Sequence, residues 1–181
     1  MLEKDVTPLA WKIELLLMDV DGVLTDGTLL YLPLPDGSVA ETKTFHAADG
    51  AAIGIARRAG IKTGMISGRT SPVVARRAEE LAMEFLYQGL GRKKLPAFEE
   101  ILGKTRIPAS RVCYVGDDLQ DLPLLTRAGF PIAVPNACRE VLARAAYVTR
   151  APGGHGAIRE VVELILKEQG KWEAAMKEFL S

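Results

Sequence analysis

The sequence predicts an α/β fold, with helices on both faces of a central parallel sheet in three α/β/α layers. Short apolar runs alternate along the chain with helix-like segments, which is typical of parallel strands joined by right-handed crossovers. The run Leu15–Met18 is apolar throughout, as expected of a strand buried on both faces. It ends at Asp19 and Asp21, and glycines follow at once. Reactive groups in such sheets lie just beyond the carboxyl ends of the strands.

A β-hairpin is predicted between the first strand and the first long helix. The first strand covers residues 13–18. The hairpin consists of an apolar segment at Thr28–Leu32, a turn at Pro33–Gly37 and an alternating segment at Val39–Phe45. Because this insertion, about residues 28–45, directly follows the acidic loop, we expect it to lie over that loop as a flap.

Strands and helices then alternate to the end of the chain. Gly60 ends the first helix, Pro72 lies in the first turn of the second, and later apolar positions recur at helical spacing. The predicted strands are Ile61–Ile66, Phe85–Tyr87, Arg111–Val115, Pro131–Val134 and Ala146–Val148. The predicted helices are 49–59, 71–83, Pro96–Gly103, 119–127, Ala137–Arg144, Ala157–Glu168 and Trp172–Leu180.

Length and composition predict one domain, residues 1–181, in the cytoplasm. Acidic and basic residues balance at 23 each, so no net charge favours nucleic acid or an anionic membrane as a partner. Cys113 and Cys138 make no disulfide framework, and both are expected to be reduced packing residues. The first residues are acidic and no apolar run approaches bilayer length, so neither a signal peptide nor a membrane span is expected.

Three further element ends carry polar side chains. Ser67 and Arg69 follow the second strand of the sheet, Lys93 and Lys94 precede a helix, and Gly116–Asp121 places three acids after another strand. Taken singly, each has an ordinary structural explanation. These are a turn, a solvated lysine pair, and acids favoured at the start of a helix.

The acids Asp19 and Asp21 are harder to explain structurally, because like charges repel and no cation is near them in the sequence. With the other strand ends they form a set suited to phosphate. A carboxylate that attacks a phosphate dianion meets repulsion, which a bridging Mg²⁺ relieves. A hydroxyl and an ammonium group can bind the remaining oxygens, while a second acid protonates the leaving alkoxide and then activates water. The predicted chemistry is phosphoryl transfer through an aspartyl phosphate.

These residues and their order resemble the haloacid dehalogenase superfamily of phosphotransferases over nearly the whole chain. Its four motifs are matched by Asp19–Thr25 (Asp-Val-Asp-Gly-Val-Leu-Thr), Ser67, a lysine of the Lys93-Lys94 pair, and Gly116–Asp121. A closer resemblance is to the family of 3-deoxy-D-manno-octulosonate 8-phosphate phosphatases, and implies a Rossmann-like fold with a minimal cap. It is carried by Asp49-Gly50, Gly68-Arg69, Tyr87-Gln88-Gly89, Lys94-Leu95 and Gly153–Glu160.

The resemblance implies a role for each matched residue. Asp19 would be the nucleophile and a Mg²⁺ ligand, and Asp21 the general acid/base that also lends its backbone carbonyl to the metal. Asp117 would be the third protein ligand, with Asp121 close by. The phosphoryl group would be held by Ser67 and Lys94. The substrate-binding residues of the family are matched by His46, Asp49, Gly50, Arg69 and Arg77.

Departures from the family pattern leave the substrate open. The family loop Asn-Val-Arg-Asp-Gly is His46–Gly50 here, and Gly54 and His155 stand where arginines are usual. Lys94 is preferred to Lys93 because the start of the following helix fixes the direction in which the Lys94 side chain points.

The implied activity is Mg²⁺-dependent hydrolysis of 3-deoxy-D-manno-octulosonate 8-phosphate in lipopolysaccharide precursor synthesis. The alternatives are a phosphatase for a nine-carbon sugar-acid phosphate or another small phosphate ester, and a non-catalytic assembly module. The acid spacing and the inserted hairpin disfavour a receiver domain.

The resemblance also implies a homotetramer in which the hairpin and the tail, about residues 170–181, help close neighbouring active sites. Apolar faces on the hairpin and on the predicted helix Trp172–Leu180 agree with this expectation, since we expect one domain to leave them uncovered. The plainer alternative is that both elements pack onto their own domain.

Overall fold

The structure is a computed structural model that describes residues 6–177, and its centre is a six-stranded parallel sheet. The strands are β1 (Leu15–Met18), β2 (Leu30–Pro33), β3 (Val39–Thr42), β4 (Lys62–Ile66), β5 (Phe85–Tyr87), β6 (Val112–Gly116), β7 (Phe130–Ala133) and β8 (Tyr147–Val148). The helices are α1 (Thr7–Ala10), α2 (Ala47–Arg58), α3 (Pro72–Glu80), α4 (Leu95–Thr105), α5 (Leu122–Arg127), α6 (Arg139–Leu142), α7 (Ala157–Glu168) and α8 (Trp172–Lys177). Two 3₁₀ turns cover Ala109–Arg111 and Leu119–Asp121.

The sheet order β5-β4-β1-β6-β7-β8 places β1 in the interior of the sheet, between β4 and β6. Leu15 is in register with Lys62 on one side and with Val112 on the other, and both pairings are parallel. All four residues of β1 are buried, as the unbroken apolar run predicted. The carboxyl ends of β4, β1 and β6 therefore lie side by side, and the residues that follow them share one edge of the sheet.

The helices form two groups around this sheet. In the first group α2 packs against α7, which also contacts α1 and α8, and in the second α5 contacts both α4 and α6. The inner face of α7 is apolar and buried, formed by Ile158, Val161, Val162, Ile165 and Leu166. The predicted parallel α/β architecture with a hairpin insertion is confirmed.

The hairpin forms a separate two-stranded antiparallel sheet, with Leu30 opposite Thr42. Its turn is closed by the Asp36 carboxylate, which accepts hydrogen bonds from the backbone N–H and the hydroxyl of Ser38 at 2.9 and 2.6 Å. Gly37 supplies the positive φ that the turn requires. Every residue of β2 is exposed, so the hairpin stands apart from the main core.

Some element boundaries differ from the sequence prediction. Helix α2 begins at Ala47, two residues early, so the predicted substrate loop at His46–Gly50 is mostly helical and only His46 remains extended. The predicted helix 119–127 divides after a 3₁₀ turn, because Asp118 and Asp121 close a capping box there.

Two short helices and the chain end also differ. The predicted helix Ala137–Arg144 is only one turn, α6. Cys138 lies at its N-cap position, just outside the helix. The turn α1 was not predicted, since four residues carry too little periodicity. The predicted final helix is described as far as Lys177, and residues 178–181 lie outside the described part of the chain. Within residues 6–177, no helix has both the length and the apolar character needed to cross a membrane.

Candidate active site

The loop after β1 is held tightly at the centre of the sheet edge. Asp19 is 1% exposed, and its backbone N–H donates to the Val115 carbonyl of β6 at 3.0 Å. The backbone then turns sharply, with the N–H groups of Leu24 and Thr25 both donating to the Val20 carbonyl at 3.0 Å. This turn presents the Asp19 carboxylate at the end of a rigid buried strand.

Gly22 is required in this loop for two reasons. Its φ is +98°, a conformation that side-chain-bearing residues rarely adopt. A Cβ atom there would also lie 2.7 Å from Cγ of Asp117, inside van der Waals contact. The glycine therefore lets the loop after β6 bring Asp117 against the loop after β1.

Lys94 lies between two of the acids. It occupies the N-cap position of α4, and its side chain is fully buried. Its Nζ lies 2.7 Å from Asp19 Oδ1 and 2.8 Å from Asp121 Oδ1. Lys93 is exposed. The geometry thus favours Lys94 as the lysine that can reach a phosphoryl group bound at Asp19.

Asp121 organises the cluster through four hydrogen bonds. Its Oδ1 accepts from Lys94 Nζ at 2.8 Å and from the Tyr114 hydroxyl at 2.7 Å. Its Oδ2 accepts from the backbone N–H groups of Asp117 and Asp118 at 3.1 and 3.2 Å. Both oxygens are therefore engaged by protein donors, and Asp121 orients Lys94 and the Asp117 loop.

Asp19 and Asp117 present the free oxygens of the cluster. Within residues 6–177, the buried atoms Asp19 Oδ2 and Asp117 Oδ1 have no hydrogen-bond partner. Carboxylate oxygens of Asp19, Asp117 and Asp121 all lie within 4.8 Å of one another. Buried, unpartnered acidic oxygens at this spacing fit a hard divalent cation, which prefers oxygen ligands.

The electrostatics agree with that fit. Burial first, and then repulsion from Asp121, raise the pKa of Asp19 to about 7 against the opposing effect of Lys94. Burial, and then repulsion from Asp19 and Asp121, raise the pKa of Asp117 to about 8. A single lysine does not compensate three acids in so small a volume, whereas a divalent ion would.

Asp21 points away from this cluster toward the hairpin. Its Oδ1 lies 2.5 Å from Nζ of Lys43, and its Oδ2 lies 3.9 Å from Nε of Arg69. The structure therefore separates the two acids of the first motif, with Asp19 facing the core and Asp21 the flap. The contact between Lys43 and Asp21 was missed from the sequence. The only signal there was that two charged residues, Glu41 and Lys43, share one face of an alternating strand.

The residues after β4 lie beside the loop after β1 at the same sheet edge. Ser67 is 2% exposed, and its hydroxyl accepts a hydrogen bond from the Arg69 backbone N–H at 3.2 Å. The Arg69 guanidinium is about half-exposed and contacts the hairpin through Glu41 at 2.5 Å and the Tyr31 hydroxyl at 3.3 Å. The predicted substrate-binding arginine thus contacts the flap, and the predicted phosphate-binding hydroxyl accepts from the backbone of that arginine.

The other predicted substrate-binding residues lie around α2. His46 is exposed at the N-terminus of the helix. Gly50 leaves room for Arg77, because a Cβ there would approach Arg77 Cζ to 3.3 Å. The Arg77 guanidinium lies 5.5 Å from the centre of the Phe45 ring and 3.3 Å from Glu80.

Asp49 has a structural task that the sequence did not reveal. It is 1% exposed, and its carboxylate accepts from the backbone N–H groups of Arg159 at 2.7 Å and Gly156 at 3.2 Å. Burial raises its pKa, and these hydrogen bonds oppose that effect. Asp49 therefore caps α7 and fixes the glycine loop before it, instead of presenting free oxygens to a ligand.

Asn136 ties the same glycine loop to the first motif. Its amide donates to the Gly22 carbonyl and accepts from the Gly153 N–H, each at 2.9 Å. Gly154 N–H also donates to the Val23 carbonyl at 2.9 Å. Sequence reasoning missed this bridge, because an isolated asparagine in a turn carries no chemical signal.

The fold and this arrangement of acids, lysine and hydroxyl define a class of protein, the haloacid dehalogenase-like hydrolases. The family model of that description matches residues 88–160, a stretch that includes Lys94, Asp117 and Asp121.

Individual relatives narrow the class. The 3-deoxy-D-manno-octulosonate 8-phosphate phosphatase of Escherichia coli (strain K12) is 43% identical over 94% of this chain and 88% of its own length. The crystal structure of the Moraxella catarrhalis phosphatase of that name, in complex with magnesium ion, phosphate ion and a KDO molecule, is 41% identical. It has a TM-score of 0.90 and covers 97% of this chain and 98% of its own. A cobalt-bound phosphatase of the same kind from Haemophilus influenzae has a TM-score of 0.82 at 35% identity, covering 90% and 92%. The chain belongs to the 3-deoxy-D-manno-octulosonate 8-phosphate phosphatase family, and both resemblances found in the sequence are confirmed.

Proposed function

We propose that this protein is a Mg²⁺-dependent phosphatase that hydrolyses 3-deoxy-D-manno-octulosonate 8-phosphate to the free sugar acid and phosphate. One observation carries the proposal: the unpartnered buried oxygens of Asp19 and Asp117 lie beside the ammonium group of Lys94. The names of the similar proteins, and the magnesium, phosphate and KDO in one of them, support the metal and the substrate.

Asp19 and Asp117 would hold the magnesium ion, together with the backbone carbonyl of Asp21. When bound, the ion supplies positive charge between the attacking carboxylate and the phosphoryl oxygens. Ser67, in the loop after β4, and Lys94, at the start of α4, bind the remaining phosphoryl oxygens. Asp121 keeps Lys94 directed at Asp19 through its own hydrogen bond.

The reaction then proceeds in two transfers. An oxygen of Asp19 attacks phosphorus, the phosphorus–oxygen bond to the sugar breaks, and the protonated Asp21 carboxyl gives its proton to the departing alkoxide. The products of this step are the sugar acid and an aspartyl phosphate on Asp19. Asp21, now a carboxylate, takes a proton from a water molecule whose oxygen attacks phosphorus. Phosphate leaves, and both aspartates return to their starting states.

Substrate recognition is assigned to the flap side of the site. Arg69, Arg77 and His46 are proposed to contact the sugar acid, because cationic and polar side chains there can pair with its carboxylate. Asp49 and Gly50 contribute by shape: Asp49 fixes the glycine loop, and Gly50 makes room for Arg77.

We also propose that the chain acts as one catalytic domain, with residues 28–45 as its flap, assembled into a homotetramer in the cytoplasm. Large apolar side chains of the hairpin are exposed in the described chain: Leu30, Tyr31, Leu32, Leu34 and Val39. Exposed apolar side chains of this size favour burial against another subunit. Cys113 and Cys138 are both free thiols, which is typical of a reducing compartment. The sugar acid that the proposed phosphatase releases would serve lipopolysaccharide precursor synthesis.

The test is a phosphate-release assay over a panel of phosphorylated eight- and nine-carbon sugar acids and simple phosphate esters, with and without Mg²⁺. We expect the eight-carbon acid to give the highest kcat/KM and chelation to abolish turnover. Asp19→Asn should lose activity by at least about 10³-fold while retaining its unfolding transition, since the nucleophile is lost. Equal turnover of Asp19→Asn and the parent protein would contradict the assigned nucleophile, and a preference for nine-carbon acids would reassign the substrate.

A further inference from the structure

The two acids of the first motif are paired with two different lysines. Asp19 meets Lys94, which belongs to the core, at 2.7 Å. Asp21 meets Lys43, which lies one residue beyond β3 of the hairpin, at 2.5 Å. The Lys43 side chain is 1% exposed, although lysine is among the residues least often buried. A buried ammonium group in the flap therefore faces the proposed acid/base of the reaction.

Lys43 is part of a closed ring of alternating charges. Its Nζ also lies 3.3 Å from Glu41 Oε1, and Glu41 Oε2 lies 2.5 Å from Arg69. Arg69 in turn lies 3.9 Å from the second oxygen of Asp21. Glu41 and Lys43 are two residues apart on an extended chain, so both side chains leave the same face of the hairpin.

This ring restricts the orientation of the Asp21 carboxyl group. One oxygen is contacted by Lys43 and the other is approached by Arg69, so rotation of the carboxyl group would break both contacts. The ring is neutral when all four groups are charged, and Lys43 is the one member whose side chain is fully buried. The hairpin contributes half of it, although the hairpin lies outside the main sheet.

We propose that Lys43 is a positioning residue for the hydrolytic reaction, holding the Asp21 carboxyl group where it reaches the leaving oxygen of the substrate. The inference rests on the function proposed above and adds to it a residue that acts on the acid/base from the flap. Proton transfer depends on the distance and alignment of the donor, and a well-placed general acid contributes about 10² to 10⁴ in rate. Loss of Lys43 should remove part of that factor.

Comparing two substrates with different leaving groups isolates the contribution of Lys43 to proton transfer from Asp21. An alkoxide departing from a sugar phosphate needs the proton of Asp21 as the phosphorus–oxygen bond breaks. The phenolate departing from p-nitrophenyl phosphate is a weak base and leaves without a proton. Because kcat/KM reports steps up to the first irreversible one, it measures this departure and excludes the later hydrolysis of the aspartyl phosphate.

The experiment compares kcat/KM of Lys43→Met with that of the parent protein on both esters. We expect a loss on the order of 10²-fold for the sugar-acid phosphate and of less than about tenfold for p-nitrophenyl phosphate. Lys43→Arg, which keeps a cation, should recover most of the loss. Lys62→Met is the matched control, because Lys62 forms an exposed ion pair with Glu84 at the other end of β4 and should leave both values unchanged.

A readout independent of turnover accompanies these rates. The Mg²⁺-induced rise in melting temperature should be the same in Lys43→Met and the parent, which shows that the fold and the metal site are intact. If Lys43→Met does not fold, Lys43→Gln, which is polar but uncharged and one bond shorter than lysine, carries the same comparison. Equal losses on both esters, or no loss on either, would overturn the role of Lys43. A parent protein inactive on both esters would instead refute the proposed phosphatase function.

Discussion

At the scale of single residues, the proposed role of Asp19 and Asp117 as metal ligands predicts that metal binding depends on pH. Their pKa values of about 7 and about 8 mean that the metal-free site holds protons that free aspartates lose near pH 4. Raised carboxyl pKa values make the folded metal-free protein less stable, relative to the unfolded chain, as pH rises from about 4 toward 8. Magnesium must displace those protons, so its affinity should increase over the same upper range.

We therefore expect Mg²⁺ to raise the melting temperature by several degrees at pH 8 and by much less at pH 6. Each pH unit below a ligand's pKa costs about 1.4 kcal/mol of binding free energy, and two ligands are affected. Thermal unfolding with and without Mg²⁺ at both pH values measures this. Asp117→Asn is the control and should lose most of the shift at pH 8. Equal shifts at the two pH values would contradict the assignment of these two carboxylates as the ligands.

Individual residues of the candidate site differ in how far the sequence alone could predict them. Asp19, Ser67 and Asp117 were found because their strands are recognisable from apolar runs and because parallel strand ends must meet at one edge. Lys43 was not found, because its position depends on how a hairpin folds back over the loop. The task of Asp49 was also hidden, since the N–H group it binds belongs to Arg159, 110 residues later in the chain.

At the scale of elements, the start of α7 depends on Asp49 of α2. Gly156 at its N-terminus has no side chain to cap the helix, and the Asp49 carboxylate supplies the missing acceptor for two N–H groups. Since the carboxyl group is buried, its loss leaves those donors without partners, which is more damaging than removing an exposed cap.

Asp49→Ala should accordingly lower the free energy of unfolding by about 1–3 kcal/mol. Denaturant unfolding of the metal-free protein measures this, with Asp36→Ala as the control at the exposed hairpin turn, where a change below about 0.5 kcal/mol is expected. Asp49→Asn should fall between the two because it keeps one acceptor. A raised KM at unchanged stability would instead show that Asp49 serves the substrate directly.

Elements were predictable to the extent that periodicity is strong. Helix α7 agrees with its predicted bounds, Ala157–Glu168, because its apolar face repeats over three turns. The predicted helix 119–127 failed as one unit because local hydrogen bonding by Asp118 and Asp121 favours a 3₁₀ turn first. The predicted loop at His46–Gly50 became helical because its two alanines are strong helix formers.

At the scale of the whole molecule, the hairpin presents apolar side chains that residues 6–177 leave exposed. Val39 is 61% exposed and Tyr31 51% exposed. A proposed tetramer would bury such side chains, and each is worth roughly 1.5–3 kcal/mol when fully removed from water. Introducing a charge there should therefore oppose assembly.

We expect Val39→Glu to sediment as a smaller species than the parent protein, which should sediment as a tetramer. Sedimentation velocity at several concentrations measures this. Trp11→Glu is the control, because Trp11 is similarly exposed at 59% but lies near the N-terminal edge of the sheet, and it should leave the assembly unchanged. A monomeric parent protein would refute the tetramer.

The interior position of β1 keeps the proposed reacting groups on the main scaffold, to which the hairpin adds only two charged side chains. The proposed nucleophile and metal ligands follow strands of the six-stranded sheet, whereas Glu41 and Lys43 come from a two-stranded ribbon that shares no strand with that sheet. Evolution, or an engineer, can thus exchange the ribbon without rebuilding the groups that would transfer the phosphoryl group. The ring through Lys43 sets the condition for that exchange, because any replacement ribbon must still deliver a cation to Asp21.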